Sequence, residues 1–149
     1  MTKKTRIIIF GIILALTLAF IWGNSMLSKE ASGAISHLLA DLLGGEQGST
    51  DEGHYLLRKA GHFCEFAFLG VIFQLFVREL TGDSARRVLA SALVGVSVPL
   101  IDETIQIFSN RGYALPDVWI DISGYALGTS LAILALWAVH LLRKKGKKE

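Results

Sequence analysis

With a single cysteine, Cys64, the chain has no way to close an internal disulfide, and no Cys/His spacing of the zinc-binding kind occurs. Proline is almost absent: Pro99 and Pro116 are the two in 149 residues. Charged residues make up only 19%, and the net charge is +2. A nucleic-acid surface needs a dense basic face. The basic residues here sit beside apolar runs instead, so no nucleic-acid partner is expected. Apolar residues fill the space that charge leaves, at 52% hydrophobic with a mean hydropathy of +0.48. A soluble domain of this size rarely reads so apolar over such long stretches. The length fits one domain, residues 1–149.

A hydrocarbon core about 30 Å thick needs roughly 20 apolar residues per helix. Four segments meet or approach this: about 7–22, 61–80, 88–108 and 118–142. Backbone polar groups cannot stay unpaired in lipid, so these are expected to be helices. The fold class predicted is all-α, a four-helix transmembrane bundle. Lys3, Lys4 and Arg6 before the first run resemble the start of a signal peptide. The sequence Phe20-Ile21-Trp22-Gly23-Asn24 is a poor cleavage site, so the segment is expected to remain as an uncleaved helix.

Basic residues alternate sides. Lys3, Lys4, Arg6, Arg78, Arg86, Arg87, Arg143, Lys144, Lys145, Lys147 and Lys148 fall on one side, 11 of 15. The positive-inside rule then places both termini in the cytoplasm of a multi-pass protein. The short inner connection, Thr81 to Arg87, makes the second and third helices antiparallel neighbours. In the long outer loop, Leu27, Ala31, Ala34, Ile35, Leu38, Leu39 and Leu42 recur at helical spacing. This predicts an amphipathic helix, lying on the leaflet or over the mouth of the bundle. Gly44 to Gly53 reads as a flexible polar turn.

Ionisable residues inside a spanning helix cost a few kcal/mol each on insertion scales. Here they occur in three helices, always near the outer end. Lys59, His62 and Glu65 recur every three residues, on one helical face. Asp102 and Gln106 share a face of the third helix, with Glu103 beside them. Asp117 and Asp121 are four apart in the fourth, and Gly124 and Gly128 extend that face as a Gly-x-x-x-Gly pair that permits close helix contact. Asn24 and Ser25 end the first helix at the same level, and Arg111 lies in the short loop between the third and fourth. The alternation of sides brings these groups to one depth, as a single pocket opening outward. Taken singly each has a plain structural role: a satisfied histidine at His62, an N-cap at Asp117 after Pro116, a partner for a neighbouring acid at Arg111, an idle Glu103. Pro99 removes an amide donor to the carbonyl of Gly95, and a kink is expected there. Ile72 and Leu93 are expected on the lipid face.

At these residues the chain resembles the VanZ-like family. The matching stretches are Arg58-Lys59-Ala60-Gly61-His62-Phe63-Cys64-Glu65-Phe66 and Asp102-Glu103-Thr104-Ile105-Gln106-Ile107-Phe108. Arg111, Asp117, Asp121, Gly124 and Gly128 follow in order, and Asn24-Ser25 precedes them. The resemblance covers about residues 7 to 140. Phe66 stands where the family commonly has Tyr, and Asp121 where Asn is common. The resemblance implies a bacterial plasma-membrane protein of the cell envelope, in a family associated with resistance to the glycopeptide teicoplanin.

Two readings of the pocket stay open. In the first it binds the head group of a membrane lipid or lipid-linked cell-wall intermediate. Arg111 and Lys59 would meet phosphate, and Asn24, Gln106, Asp117 and Asp121 would complete the ligand-binding set. In the second the chain is an enzyme on such a lipid, with His62, Glu65, Asp102 and Glu103 as the acid–base candidates. No nucleophile motif occurs, and Ser25 and Ser109 are weak candidates. No cofactor is assigned; His62 with the carboxylates is a donor set for a hard divalent metal, which is not claimed from the sequence. A transporter or channel is disfavoured, because the acidic groups do not continue across the membrane.

Overall fold

The computed structural model describes residues 1–27, 51–109 and 114–145. Thr2 opens the first helix: its hydroxyl accepts the amide of Thr5 at 3.2 Å, satisfying one of the free N–H groups at a helix start. Helix α1 then runs Lys3–Ser25. Helix α2 spans Asp51–Leu80. Asp83 caps the next helix by accepting the amides of Ala85 and Arg86 at 2.9 and 3.3 Å. That helix, α3, covers Ser84–Phe108, and α4 covers Leu115–Lys145. All four are long and apolar enough to cross a membrane.

The helices outrun the apolar segments that mark them in the sequence. The largest departure is α2, which begins at Asp51 rather than near Gly61, so Asp51 to Gly53 are helical and not part of a turn. Thirty residues at 1.5 Å each reach about 45 Å, well beyond a hydrocarbon core of about 30 Å. Hydropathy registers the part in lipid and misses the turns that stand outside it. The inner connection is likewise shorter than expected, with α3 resuming at Ser84. The amphipathic helix expected over residues 27–42 falls, beyond Leu27, outside the described residues, as does Arg111.

Large apolar side chains face outward: Ile12, Leu16 and Phe20 on α1, Leu89 and Leu93 on α3, Leu131, Leu134 and Trp137 on α4. Lipid tails are as apolar as leucine, so burial of such residues does not draw helices together; small residues and polar contacts do. The core is accordingly narrow. Ile21, Phe66, Leu69, Val98 and Tyr125 form it, with Leu14, Leu18, Trp22, Phe73 and Val94 packed around them. Ile72 belongs inside, at 7% exposure, whereas Leu93 faces outward at 59%.

Helix α2 makes its most extensive contact with α4 and its next with α1; α3 closes against α4, α2 and α1. The α2–α4 pair depends on glycine. A Cβ on Gly124 would collide with the carbonyl oxygen of Phe63, and one on Gly128 with that of Ala67. From the other side, a Cβ on Gly70 would strike the carbonyl oxygen of Tyr125. So although α2 and α3 are joined by a tight connection, the chief partner of α2 is α4, which runs parallel to it. Gly95 performs the same service for α3, where a Cβ would lie 2.6 Å from the Tyr125 ring. Arg6 and Glu79 tie the far ends of α1 and α2 together at 3.1 Å.

Candidate functional site

All four helices deliver polar side chains to one end of the bundle. Asp102, Glu103 and Asp121 are almost fully buried, at 0%, 1% and 1% exposure. Burial of three carboxylates in so small a protein requires specific partners, and for two of them these are visible.

Asp102 is held from both sides. Ser25 Oγ donates to its Oδ1 at 2.6 Å, and Gln106 Nε2 donates to its Oδ2 at 2.8 Å, one turn along α3. Ser25 is in turn fixed at the end of α1, where its carbonyl accepts the Ser109 hydroxyl at 2.9 Å. Glu103 turns toward the start of α4, where its Oε1 accepts the amide of Ala114 at 2.6 Å. It is therefore neither idle nor directed into lipid.

Lys59, His62 and Glu65 share a stripe of α2 but diverge along it. Each step of three residues falls about 60° short of a full turn, so Glu65 points about 120° away from Lys59. Lys59 forms an ion pair with Asp117 on α4 and lies 4.4 Å from the centre of the Tyr55 ring. His62 Nδ1 stands 3.8 Å from Asp121 Oδ1 and 4.0 Å from Asp102 Oδ2, with 11% of the side chain exposed. Glu65 turns to α1, where Asn24 Nδ2 donates to its Oε1 at 3.1 Å. Asp117 is not the N-cap its position after Pro116 suggests. α4 starts two residues earlier, at Leu115, which puts Asp117 in the first turn with its carboxylate on Lys59.

Asp121 is different. Neither of its carboxylate oxygens has a hydrogen-bond partner among the described residues, and both are inaccessible. One oxygen of Asp121, one of Asp102 and a ring nitrogen of His62 lie within 4.8 Å of one another. The cleft above them is bordered by Arg58, Lys59, His62, Gln106, Asp117 and Asp121 and encloses about 10 Å³, room for about one water.

Beside this cleft, on the outer surface of the α1–α2 pair, lies a much larger apolar groove of about 510 Å³. Leu16, Thr17, Phe20, Cys64 and Phe68 line it, and Glu65 is the charged residue among its lining.

Of the residues singled out in the sequence, Asn24, Lys59, His62, Glu65, Asp102, Glu103, Gln106, Asp117 and Asp121 thus gather at one end of the bundle. Three contributors carried no strong signal. Ser25, read as a weak nucleophile, is the clamp on Asp102. Tyr55 is legible only as the residue four before Lys59. The Ala114 amide has no side-chain signature at all. A second polar contact lies deeper: Ser91 Oγ donates to Gln74 Oε1 at 3.0 Å, buried between α3 and α2.

A family model described as VanZ/LLP1 matches residues 7–137. No curated protein and no solved structure matches the chain.

Proposed function

The chain belongs to the VanZ/LLP1 family, and from that premise we propose that it is an envelope membrane protein whose site holds an amphiphile. The head group of a membrane lipid or lipid-linked cell-wall intermediate sits at the mouth of the acidic cleft, and an acyl chain lies in the groove between α1 and α2. One observation carries this reading. Glu65 belongs both to the polar cluster, through Asn24, and to the lining of the apolar groove. A polar cluster set beside an apolar groove, with Glu65 common to the two, suits a lipid better than a soluble metabolite. The cleft is too small to swallow a head group, so the group engages from the mouth, where Arg58 is available to phosphate and Lys59, paired with Asp117, stands beside it. Arg111 is assigned to the same phosphate. Both termini are assigned to the cytoplasm by the basic-residue bias, which places the site in the outer leaflet. A protein that holds an envelope lipid there alters how a teicoplanin-type glycopeptide meets its target.

The test is native mass spectrometry of gently extracted protein, paired with glycopeptide susceptibility of cells expressing each variant. His62→Ala, Glu65→Gln and Asp102→Asn should lose the co-purifying lipid and the phenotype together while the protein accumulates. Leu93→Ile and Leu89→Ile, both exposed to lipid, are the controls; Ile72, being buried, is unsuitable. If the three variants accumulate and keep both lipid and phenotype, the cluster is structural. If only His62→Ala is silent, acid–base catalysis by His62 fails and head-group binding stands.

A further inference from the structure

The acidic cleft presents an electrostatic contradiction. Asp117 and Asp121 border it, Asp102 lies within 4.8 Å of Asp121 by one oxygen each, and Glu65 and Glu103 stand around it, turned toward α1 and the start of α4. Among the described residues Lys59 pairs with one of them, Asp117, and Arg58 borders the cleft. A buried carboxylate normally has a cation or several donors against it. Asp121 has neither oxygen hydrogen-bonded among the described residues and is 1% exposed.

We infer that His62, Asp102 and Asp121 hold one divalent cation. The three residues come from α2, α3 and α4, and one ligand atom from each lies within 4.8 Å of the other two. Neighbouring ligand atoms bound at 2.0–2.2 Å are about 2.8–3.6 Å apart around a tetrahedral or octahedral ion. The His62 Nδ1 distances of 3.8 and 4.0 Å therefore call for a contraction of between a few tenths of an ångström and about 1 Å. They are also too long for hydrogen bonds. Asp102 already has the support typical of a metal-binding carboxylate, hydrogen bonds from Ser25 and Gln106 that fix its orientation. The adjoining cleft, bordered by His62 and Asp121, offers about 10 Å³, room for about one water beside the ion.

Charge and donor type narrow the ion. Two aspartates neutralise one divalent cation. One imidazole with two carboxylates suits a borderline first-row ion such as Mn²⁺ or Zn²⁺. It suits Ca²⁺ less, since that ion collects six to eight oxygens. Three protein ligands leave a coordination position open toward the mouth of the cleft. An oxygen of a lipid phosphate fits that position. This last step rests on the head-group reading; the cation site does not.

The experiment uses full-length protein in detergent, stripped with chelator. Binding of Mn²⁺ is followed by electron paramagnetic resonance, and Zn²⁺, Mg²⁺ and Ca²⁺ by competition. One Mn²⁺ should bind per chain, displaced by Zn²⁺ more readily than by Ca²⁺. Asp121→Asn and His62→Gln should each weaken it at least about tenfold, and Ser25→Ala by roughly 10–100-fold. Folding is checked by thermal unfolding without metal. Asp121→Asn should be as stable as the parent chain or more so, because it replaces a buried carboxyl whose oxygens have no hydrogen-bond partner among the described residues, and it should lose the stabilisation that Mn²⁺ gives the parent. No binding at millimolar metal, or binding that survives both ligand substitutions, overturns the cation site. Native mass spectrometry with and without metal separates the two proposals. Lipid retained with no cation bound overturns the site alone. A cation bound with no lipid retained overturns the head-group reading alone.

Discussion

Replacing Gly128 by alanine is a one-carbon test of how the site is assembled. The new Cβ would lie 2.6 Å from the carbonyl carbon of Ala67 and 3.0 Å from its Cα, and closest of all to its oxygen. Ordinary contact begins near 3.4 Å, so the shortfall at the carbonyl carbon alone is 0.8 Å. The obstacle is backbone of a packed helix, which has no alternative rotamer. Helices α2 and α4 must therefore separate by on the order of 1 Å. Overpacking of this kind costs about 1–3 kcal/mol, and a backbone clash belongs at the upper end. Asp121 sits two turns away on the same face, roughly 10 Å along the axis. The separation therefore also carries it away from His62. Gly61→Ala is the matched control: a Cβ there meets nothing within 4 Å, and alanine is favoured over glycine by up to about 1 kcal/mol inside a helix. Unfolding in mixed micelles by titration with SDS, read by tryptophan fluorescence, measures both. The expected result is opposite signs, a loss for Gly128→Ala and a small gain or no change for Gly61→Ala. If Gly128→Ala falls within about 0.5 kcal/mol of the parent, as an innocuous surface change would, close α2–α4 contact is not what holds the bundle.

Two further outcomes are expected. A reporter fused after Glu149 should be active only in the cytoplasm and one inserted at Gly48 only outside; activity of the C-terminal fusion outside reverses the assigned orientation. A double-mutant cycle on Gln74→Leu and Ser91→Ala should give a coupling of about 0.6 kcal/mol, and no more than about 1.7, the range for hydrogen bonds between membrane helices; a coupling near zero would mean the 3.0 Å contact contributes nothing.

The four helices and the polar cluster at one end are legible in the sequence for the same reason. In a chain this apolar, a charged residue inside a run stands out, and alternation of sides fixes its depth. What periodicity cannot supply is which side of a helix faces lipid. Both the buried and the exposed faces are apolar, so Ile72 reads like Leu93 although one is packed and the other is not. Glycine gives the better guide, since Gly124 and Gly128 mark the buried face of α4. The same spacing argument that put Lys59, His62 and Glu65 on one stripe conceals a fan of about 120°, and that fan sends Glu65 to α1 and Lys59 to α4. Ser25 is legible in its level but not in its role as the clamp on Asp102, and the Ala114 contribution, a backbone amide, has no side-chain signature.

The hydrogen bond from Ser25 to Asp102 joins residues 77 apart in the chain, and that separation bears on biogenesis. An aspartate at the centre of an inserting segment costs about 2.5–3.5 kcal/mol, less toward its ends. When α3 leaves the ribosome its acidic end meets a membrane in which Ser25 and His62 are already installed, so the hydroxyl that will hold Asp102 precedes it by two helices. Asp121 arrives last, on the helix that completes the bundle. A nascent chain stalled before α4 thus holds three helices with a polar seam that lacks its Asp117 and Asp121 side.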